Sequence, residues 1–390
     1  MQNISSKPNV VVYSDHLLPY SQTFVIQQGE ALQTYQAQYV GSRMVNGLAL
    51  PKNRAFALNR GSWLGKGLEL AHKTLHFAPT LSAHLKQLRP MLLHAHFGPG
   101  GAFLMPYAQA LQLPLVVTFH GFDVTVKDTV ARSSFYGHRL FIRRREALKQ
   151  SASTFIAVSH FIKHKLLAAG FPEEKILVHY IGVKTEEFEP ALLQRERMVL
   201  FVGRLVEKKG CRYLIQAMAA IQATQPDVEL VVIGDGTLRK ELEAQAQATL
   251  RSYRFLGAQP SNVVKEYMNR AKVFCVPSIV AESGDAEAFG IVFIEAQAMG
   301  TPVVSFASGG IPEAVSHGHT GLLAPEKEWR MLADQIAVLL NNEEQWQRYS
   351  EAGQHFVRSN FNLANQTRQL EACYDEVVAN HFARRDVHYA

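Results

Sequence analysis

The sequence predicts an α/β protein built from two doubly wound domains. Short apolar runs alternate with helical stretches along the 390 residues. The apolar runs at 10–13 and 198–202 are typical of parallel strands covered on both faces. Because the alternation restarts near Met198, we expect two successive βα series, each forming its own sheet.

The first series is expected to form a domain at 1–185. Polar loops bound its apolar runs, and helical patterns separate them. In chain order, the pattern predicts a strand at 10–13, a helix at 22–32, strands at 38–40, 55–58 and 91–95, a helix at 100–111, strands at 115–119 and 155–158, and a helix at 159–169.

The second series is expected to form a domain at 198–362, after a polar linker at 182–197. A last helix is long enough to pack back on the first domain, so 363–390 is assigned there. The predicted elements between are strands at 198–202, 229–233, 253–256, 273–276 and 302–306 and helices at 210–221, 238–248, 263–270 and 289–299.

Composition narrows the class of protein. Hydrophobic residues make up 47% and charged residues 19% of the chain, which is ordinary for a protein with a packed core. No apolar run reaches the roughly 18 residues of a membrane span, and the N-terminus lacks a signal-peptide pattern. The three cysteines are far apart, which fits a reducing cytoplasm and gives no zinc spacing. We therefore expect a cytoplasmic protein.

Positive charge is concentrated in the first half of the chain. Residues 1–190 hold 20 Lys+Arg against 11 Asp+Glu, whereas 191–390 hold 20 against 23. A basic first half suits an anionic membrane or a phosphorylated substrate, and a merely soluble surface is an equal alternative. Aromatic and basic residues mix at 135–145, which fits a membrane interface or a solvated helix face. Nucleic acid is disfavoured, because no recognition motif is present.

Two carboxylates in the second domain bracket a predicted helix start. Glu287 and Glu295 stand eight residues apart, and the helix is expected to begin near Phe289 or Gly290. The first N–H groups of a helix have no acceptor inside it, which favours an anion there. The alternative is an amphipathic helix with two solvated glutamates.

Two cations follow the first strand of the same domain. Arg204 and Lys209 lie in a loop bracketed by Gly203 and Gly210, at the sheet edge where such folds bind ligands. Arginine and lysine together suit phosphate oxygens. The turn with Gly234 and Gly236 is a weaker signal, since it lacks the third glycine of a dinucleotide fingerprint.

Histidines follow two neighbouring strands of the first domain. His94 and His96 end one strand, and His120 and Asp123 follow the next. A zinc site is conceivable but disfavoured, because no cysteine lies nearby. A hydrogen-bonded structural role is favoured for His94, and a role facing a ligand for His120.

These motifs resemble those of the retaining GT-B glycosyltransferases called group 1 or family 4. The pair Glu287 and Glu295 is similar to the family's E-x7-E motif, and the other motifs stand in the family's order. The resemblance implies two Rossmann-like domains facing each other across a cleft. Segments 19–24, 94–98 and 118–123 resemble the branch that builds bacterial exopolysaccharide, capsule or lipopolysaccharide.

The resemblance also implies a role for individual residues. The second domain would bind a UDP- or GDP-linked sugar, with Arg204 and Lys209 on the diphosphate, Glu295 on the ribose and Glu287 on the sugar. His120 would face the sugar from the first domain. The implied catalytic residues are Glu287, Arg204, Lys209 and His120. The implied donor-binding residues are Gly203, Arg204, Lys209, Gly234, Gly236, Phe289, Gly290, Ile291, Val292 and Glu295. The implied acceptor-binding residues are Ser21, Thr23, His96 and Asp123.

In such enzymes the leaving diphosphate takes the acceptor's proton, and no enzymic nucleophile, cofactor or metal is needed. The implied acceptor is a lipid-linked saccharide, used on the inner face of the plasma membrane. Two alternatives stay open: a sugar-nucleotide epimerase of the same architecture, and a non-catalytic nucleotide-sugar-binding membrane partner. The chain departs from the family at Ala288, where relatives often have glycine, and in the glycine-free loop at 15–23.

Overall fold

The computed structural model describes residues 7–19, 22–76, 78–188, 190 and 195–389, with side chains to residue 383. The chain divides into two units. Unit 1 comprises residues 1–182 and 363–390, and unit 2 comprises residues 183–362. Ser21 lies outside the described residues.

Unit 1 is built on a sheet of eight strands, and every strand pair in it is parallel. The order is β2-β3-β1-β5-β6-β7-β8, and β4 pairs with β3. The strands are β1 (Asn9–Tyr13), β2 (His16–Leu17), β3 (Gln36–Met44), β4 (Ala55–Asn59), β5 (Leu92–His96), β6 (Leu115–Phe119), β7 (Thr154–Ala157) and β8 (Ile176–Val178).

Helices make most of the connections between these strands, as is usual for parallel pairing, whereas residues 45–54 join β3 to β4 with only a 3-10 turn (Lys52–Arg54). The helices are α1 (Thr23–Ala31), α2 (Trp63–Leu75), α3 (Pro79–Leu88), α4 (Gly98–Leu111), α5 (Phe122–Thr125), α6 (Asp128–Ser133), α7 (Tyr136–Ser151) and α8 (His160–Ala168). Sequence patterns assigned no element to the region of α2 and α3. The inward side of α2 carries polar side chains, so hydrophobic periodicity does not indicate which face is buried.

Unit 2 is built on a six-stranded parallel sheet with the order β11-β10-β9-β12-β13-β14. The strands are β9 (Glu196–Val202), β10 (Glu229–Ile233), β11 (Tyr253–Gly257), β12 (Ala271–Cys275), β13 (Val303–Phe306) and β14 (Gly321–Ala324). The helices are α9 (Cys211–Thr224), α10 (Arg239–Thr249), α11 (Ser261–Arg270), α12 (Ile291–Ala298), α13 (Ile311–Ala314), α14 (Trp329–Asn341) and α15 (Glu343–Asn360). α12 is shorter than the helix expected at 289–299, because the chain at Gly290 has φ +93° and helical geometry starts only after it.

The last helix, α16 (Leu363–Tyr389), belongs to unit 1. Leu370, Cys373, Tyr374 and Val377 on this helix are buried in the same apolar cluster as residues of β1 and α1. The segment predicted as a linker at 182–197 contains a 3-10 turn (Thr185–Glu187) and the first residues of β9. Within the described part of the chain, no helix combines the length and the hydrophobicity needed to cross a bilayer.

Candidate active site

The sheet of unit 2 creates a crevice at one point of its carboxyl edge. β9 is the first strand of the unit, and its two neighbours, β10 and β12, follow on opposite sides of it. The chain therefore leaves β9 and β12 in opposite directions, and open α/β sheets bind ligands at such a switch point. The loops after these two strands carry the residues singled out from the sequence, namely Arg204, Lys209 and Glu287.

The two loops are joined by a pair of nearly buried ion pairs. Lys209 Nζ donates to Glu287 Oε2 at 2.5 Å, and its side chain is 10% exposed against 13% for Glu287. Lys208 donates to Asp285 at 3.0 Å. Lys208 and Asp285 were not predicted from the sequence, although Lys208 adjoins the predicted Lys209. The alternative of two solvated glutamates is wrong for Glu287.

Three cations act on the Glu287 carboxyl. Burial raises the pKa of this group, but Lys209, then Lys208 and, more weakly, Arg204 lower it, and the net shift is downward. Glu287 is therefore an anion near neutral pH. The side chain of Arg204 is exposed, so its guanidinium can reach a ligand in solvent.

The helix α12 begins directly after this cluster. Its first residues, Ile291 and Val292, are half-buried, and its amide dipoles favour an anion at this end. Phe289 is not part of the helix. The whole residue is 1% exposed, and its ring packs against Phe361 at 5.1 Å, so the ring is not available to a ligand in this structure.

The glycines of unit 2 allow loops to pack closely. Gly234 has φ +141°, and a Cβ there would lie 1.9 Å from the carbonyl oxygen of Gly203. The N–H groups of Gly203 and Gly234 already donate to Ile233 and Gly257, and that of Gly236 donates to Asp235. These three glycines therefore shape the loop of Arg204 and do not themselves offer N–H groups to a donor in this structure.

Glu295 lies one turn into α12. Burial raises its pKa to about 7, so the carboxyl is partly protonated near neutral pH. The protonated and the ionised carboxyl can each form hydrogen bonds with the hydroxyls of a ribose.

Replacing Glu295 with glutamine is expected to change how stability depends on pH. The unfolded chain ionises Glu295 near 4.5 and the folded chain near 7. Between these values the folded state binds the extra proton, so the free energy of unfolding of the wild type falls as pH rises. The Glu295→Gln variant should lose this part of the slope in urea titrations from pH 4.5 to 7. The exposed Glu351→Gln should keep the wild-type slope, and equal slopes in wild type and Glu295→Gln would contradict the assignment.

Unit 1 has a switch point of its own. β1 lies between β3 and β5, and a cavity of about 310 Å³ opens where the chain leaves β1 and β5. It is lined by residues that follow β1, β5 and β6 and by Phe135 at the start of α7: Ser14, Asp15, His16, Gln22, His96, Phe97, Pro99, Gly100, Phe122, Asp123 and Phe135. Thr23 is exposed next to this lining.

Three imidazoles stack beside this cavity. The rings of His94 and His96 lie 4.6 Å apart, and those of His96 and His120 lie 5.2 Å apart. His94 bonds the hydroxyls of Tyr374 at 2.6 Å and Thr118 at 2.7 Å, which is the structural role favoured for it. Burial lowers the pKa of all three, that of His96 to about 3, so they are neutral.

His96 and His120 differ from His94 in their bonding. Nδ1 of His96 bonds Nε2 of His120 at 2.9 Å. Nδ1 of His120 is buried and has no hydrogen-bond partner among the described residues. His120 thus retains one buried polar atom without a partner among the described residues, which is uncommon in folded proteins.

Asp123 has a structural task in addition to lining the cavity. Its two carboxylate oxygens accept the N–H groups of Gly98 at 2.9 Å and Gly121 at 3.0 Å. Burial raises its pKa to about 6, while these hydrogen bonds hold it down. Among the described residues, no group of three histidine, cysteine or acidic side chains is placed to hold a metal ion.

Solved structures share this architecture. Anabaena HepE in complex with UDP and glucose has a TM-score of 0.77 at 20% identity, over 94% of this chain and 99% of its own. Sucrose-phosphate synthase from Thermosynechococcus elongatus has a TM-score of 0.78 at 22% identity, over 96% and 100%. Two Rossmann-like units with parallel sheets, as in these neighbours, define the GT-B fold.

Sequence comparisons give the family. The family described as "Glycosyl transferases group 1" matches residues 183–356, and "Glycosyltransferase Family 4" matches residues 47–187. The amylovoran biosynthesis glycosyltransferase AmsK of Erwinia amylovora is 31% identical over 297 residues, 74% of this chain and 71% of AmsK. The putative colanic acid biosynthesis glycosyltransferase WcaL of Salmonella typhimurium is 30% identical over 254 residues, 62% of this chain and 60% of WcaL. The chain belongs to the group 1 glycosyltransferases of family 4, which confirms the resemblance seen in its motifs.

Proposed function

We propose that the protein is a retaining glycosyltransferase that uses a UDP- or GDP-linked sugar donor. The observation that carries this proposal is the cluster in unit 2. Arg204, Lys208 and Lys209 converge with Glu287 just before the N-terminus of α12, at the switch point of the sheet. Anabaena HepE, which has the same fold, was crystallised with UDP and glucose, and this supports a nucleotide-sugar donor.

The cluster suits a diphosphate that becomes a leaving group. The ammonium of Lys209 has three N–H donors and gives one to Glu287. The others can bond phosphate oxygens, and the exposed guanidinium of Arg204 can add a forked contact. Both cations stabilise the charge that grows as the bond to the sugar breaks, which is usually the largest contribution to catalysis.

The proposed reaction proceeds on one face of the sugar. The bond from the anomeric carbon to the diphosphate breaks as the acceptor oxygen attacks from the same side. The acceptor's proton passes to the departing diphosphate, so the reaction needs neither an enzymic nucleophile nor a metal. Glu287 holds Lys209 in place and is proposed to contact the donor sugar, and Glu295 is proposed to bond the ribose.

We propose that unit 1 binds the acceptor. Its cavity brings His96, Asp123 and the aromatic rings together, and Thr23 lies beside it. Ser21 stays a prediction from the sequence, as does the contact of His120 with the sugar. AmsK and WcaL are named for amylovoran and colanic acid biosynthesis, which supports a role in bacterial polysaccharide synthesis. We further propose that the acceptor is a lipid-linked saccharide used at the cytoplasmic face of the membrane.

The proposal is tested by transfer assays with UDP- and GDP-sugars and lipid-linked saccharides. EDTA is present throughout, so that transfer in its presence tests the proposed independence of metal. Arg204→Ala is expected to lower kcat/KM by roughly 10- to 100-fold, because charged hydrogen bonds to the diphosphate are each worth about 1.5–3 kcal/mol. Proton NMR of the product reports whether the anomeric configuration is retained.

The matched control is Arg348→Ala, which removes the same charge from an exposed position on α15. It should transfer at the wild-type rate. Glu287→Ala is measured in parallel. Unchanged transfer in both Arg204→Ala and Glu287→Ala would show that the site is wrongly assigned. A product with inverted anomeric configuration would show that the proposed retaining mechanism is wrong.

A further inference from the structure

Helix α2 exposes an apolar face that no other described helix matches. Among the described residues, the four most exposed large hydrophobic side chains all lie on it: Trp63 at 79%, Leu75 at 72%, Leu70 at 64% and Leu64 at 58%. Trp63 and Leu70 are seven residues apart, and Leu64 and Leu75 are eleven apart. These spacings align Trp63 with Leu70 and Leu64 with Leu75, and the two pairs lie about 100° apart around the helix. All four therefore share the outward side of α2, which we call the apolar stripe.

The opposite side of α2 faces inward and is polar. Glu69 is 3% exposed and accepts hydrogen bonds from Arg43, Asn59 and Lys73. His72 is fully buried and bonds the hydroxyls of Tyr13 and Tyr107. A surface helix of a globular protein normally buries its apolar side. In α2 the arrangement is reversed, so the packing of unit 1 does not account for the apolar stripe.

The surroundings of this stripe are strongly basic. Residues 52–89 contain seven Lys+Arg and a single acid, Glu69, which is buried and paired. Arg60 and Lys66 are exposed beside the stripe. Tyr136 of α7 bonds the carbonyl of Lys73 at 3.0 Å, which brings the basic helix α7 against α2. Arg54 is paired with Glu30, and Lys73 is paired with Asp15 and Glu69. The remaining cations still give this segment a net positive charge, which attracts an anionic surface.

The geometry points to α2 as a membrane-docking helix that lies in the headgroup region of an anionic bilayer. Trp63, Leu64, Leu70 and Leu75 would enter the boundary with the acyl chains, while Lys66 stays at the level of the phosphates. Tryptophan and leucine on one side with cations beside them are what such helices carry, and anionic lipid supplies the opposite charge. A second copy of the chain fits less well, because a twofold interface would place this basic segment against itself. The inference rests on the membrane partner named in the proposed function and specifies the helix that would contact it. Testing it requires no glycosyl transfer.

Vesicle flotation of the full-length protein tests the inference. We expect binding to vesicles of phosphatidylcholine and phosphatidylglycerol in equal parts, and weak binding to phosphatidylcholine alone. The double variant Trp63→Ser/Leu70→Ser should lower the partition coefficient by a factor of about ten or more, since burying one such side chain changes an equilibrium by about that factor. Lys66→Glu should weaken binding to the anionic vesicles and make it less sensitive to salt.

The controls separate docking from damage to the fold. Met331→Ser/Val338→Ser removes two exposed apolar side chains from α14 of unit 2 and should bind vesicles like the wild type. Trp63→Phe should still bind, but the blue shift of tryptophan fluorescence on vesicle addition should shrink. Wild-type binding by Trp63→Ser/Leu70→Ser would overturn the inference. So would an absence of vesicle binding, or a dimer in light scattering that this variant converts to monomer.

These outcomes are independent of the proposed reaction. Transfer to a soluble saccharide acceptor reports on the site in unit 2, whereas flotation reports on α2 alone. A protein that transfers sugar but does not float would refute only the docking helix. A protein that floats through α2 but transfers no sugar would refute only the proposed reaction.

Discussion

Replacing Lys209 with methionine is expected to lower kcat/KM for glycosyl transfer by roughly 100- to 1000-fold, the effect of removing one donor that stabilises developing charge. Methionine keeps most of the length of the side chain and removes the ammonium. The loss should fall mainly on kcat, because charge on the diphosphate grows as the bond breaks. Steady-state kinetics with a saturating acceptor measure it.

The pH profile of Lys209→Met provides a second test of the role of Lys209. Lys209 is the largest of the influences that lower the pKa of Glu287. Without it the pKa rises, so a lower fraction of Glu287 is ionised at a given acidic pH. The acid limb of kcat/KM should therefore move to higher pH in Lys209→Met.

The chain offers a closely matched control for the loss of this charge. Lys272 has a side chain that is 11% exposed and an ion pair of 2.5 Å to Glu343, yet it lies near the start of β12, at the opposite end of the strand from the site. Lys272→Met should keep the wild-type rate and pH profile. If Lys209→Met transferred sugar as fast as Lys272→Met, Lys209 would have no part in the reaction.

Gly234→Ala is expected to destabilise the protein by about 2–5 kcal/mol and to reduce transfer strongly. The added Cβ would meet the carbonyl of Gly203 at 1.9 Å, and alanine is strained at φ +141°. The backbone of one loop must therefore move, and Arg204 follows Gly203 directly. Urea unfolding gives the change in stability, and donor titration gives the change in affinity.

Gly318→Ala is a control that introduces backbone strain without a steric clash between loops. Gly318 is also in unit 2 and has φ +75°, but a Cβ there would meet no atom within 4 Å. We expect Gly318→Ala to cost about 1 kcal/mol and to leave transfer intact. If the two variants lost equal stability and activity, the contact between the loops of Gly203 and Gly234 would be unimportant.

Much of the fold could be predicted from the sequence, because strands buried on both faces have an unmistakable local pattern. The predicted strands at 10–13, 115–119 and 229–233 correspond to β1, β6 and β10. Helix α2 was not predicted from the sequence, although its apolar residues recur with a helical period. Its inward side carries Glu69 and His72 and its outward side carries leucines, so its sequence pattern contradicts its burial.

The candidate site was predictable in part. Glycine-bracketed cations and the spacing of Glu287 and Glu295 mark it in the sequence, because motif spacing is a local property. The ion-pair partner of each charged residue is not a local property. The bond from Lys209 to Glu287 spans 78 residues and that from Lys208 to Asp285 spans 77, and no local pattern encodes such pairs.

The sequence by itself determined the two βα series, the family and the residues that carry charge at the edge of the second sheet. The tertiary structure alone decided what those residues are chemically. It makes Glu287 an anion held by lysines and raises the pKa of Glu295 to about 7. It commits the N–H groups of Gly203 and Gly234 to carbonyls at the ends of β10 and β11. It also turns the apolar side of α2 outward. Burial and long-range partners set these properties, and both exist only once segments distant in the chain have packed together.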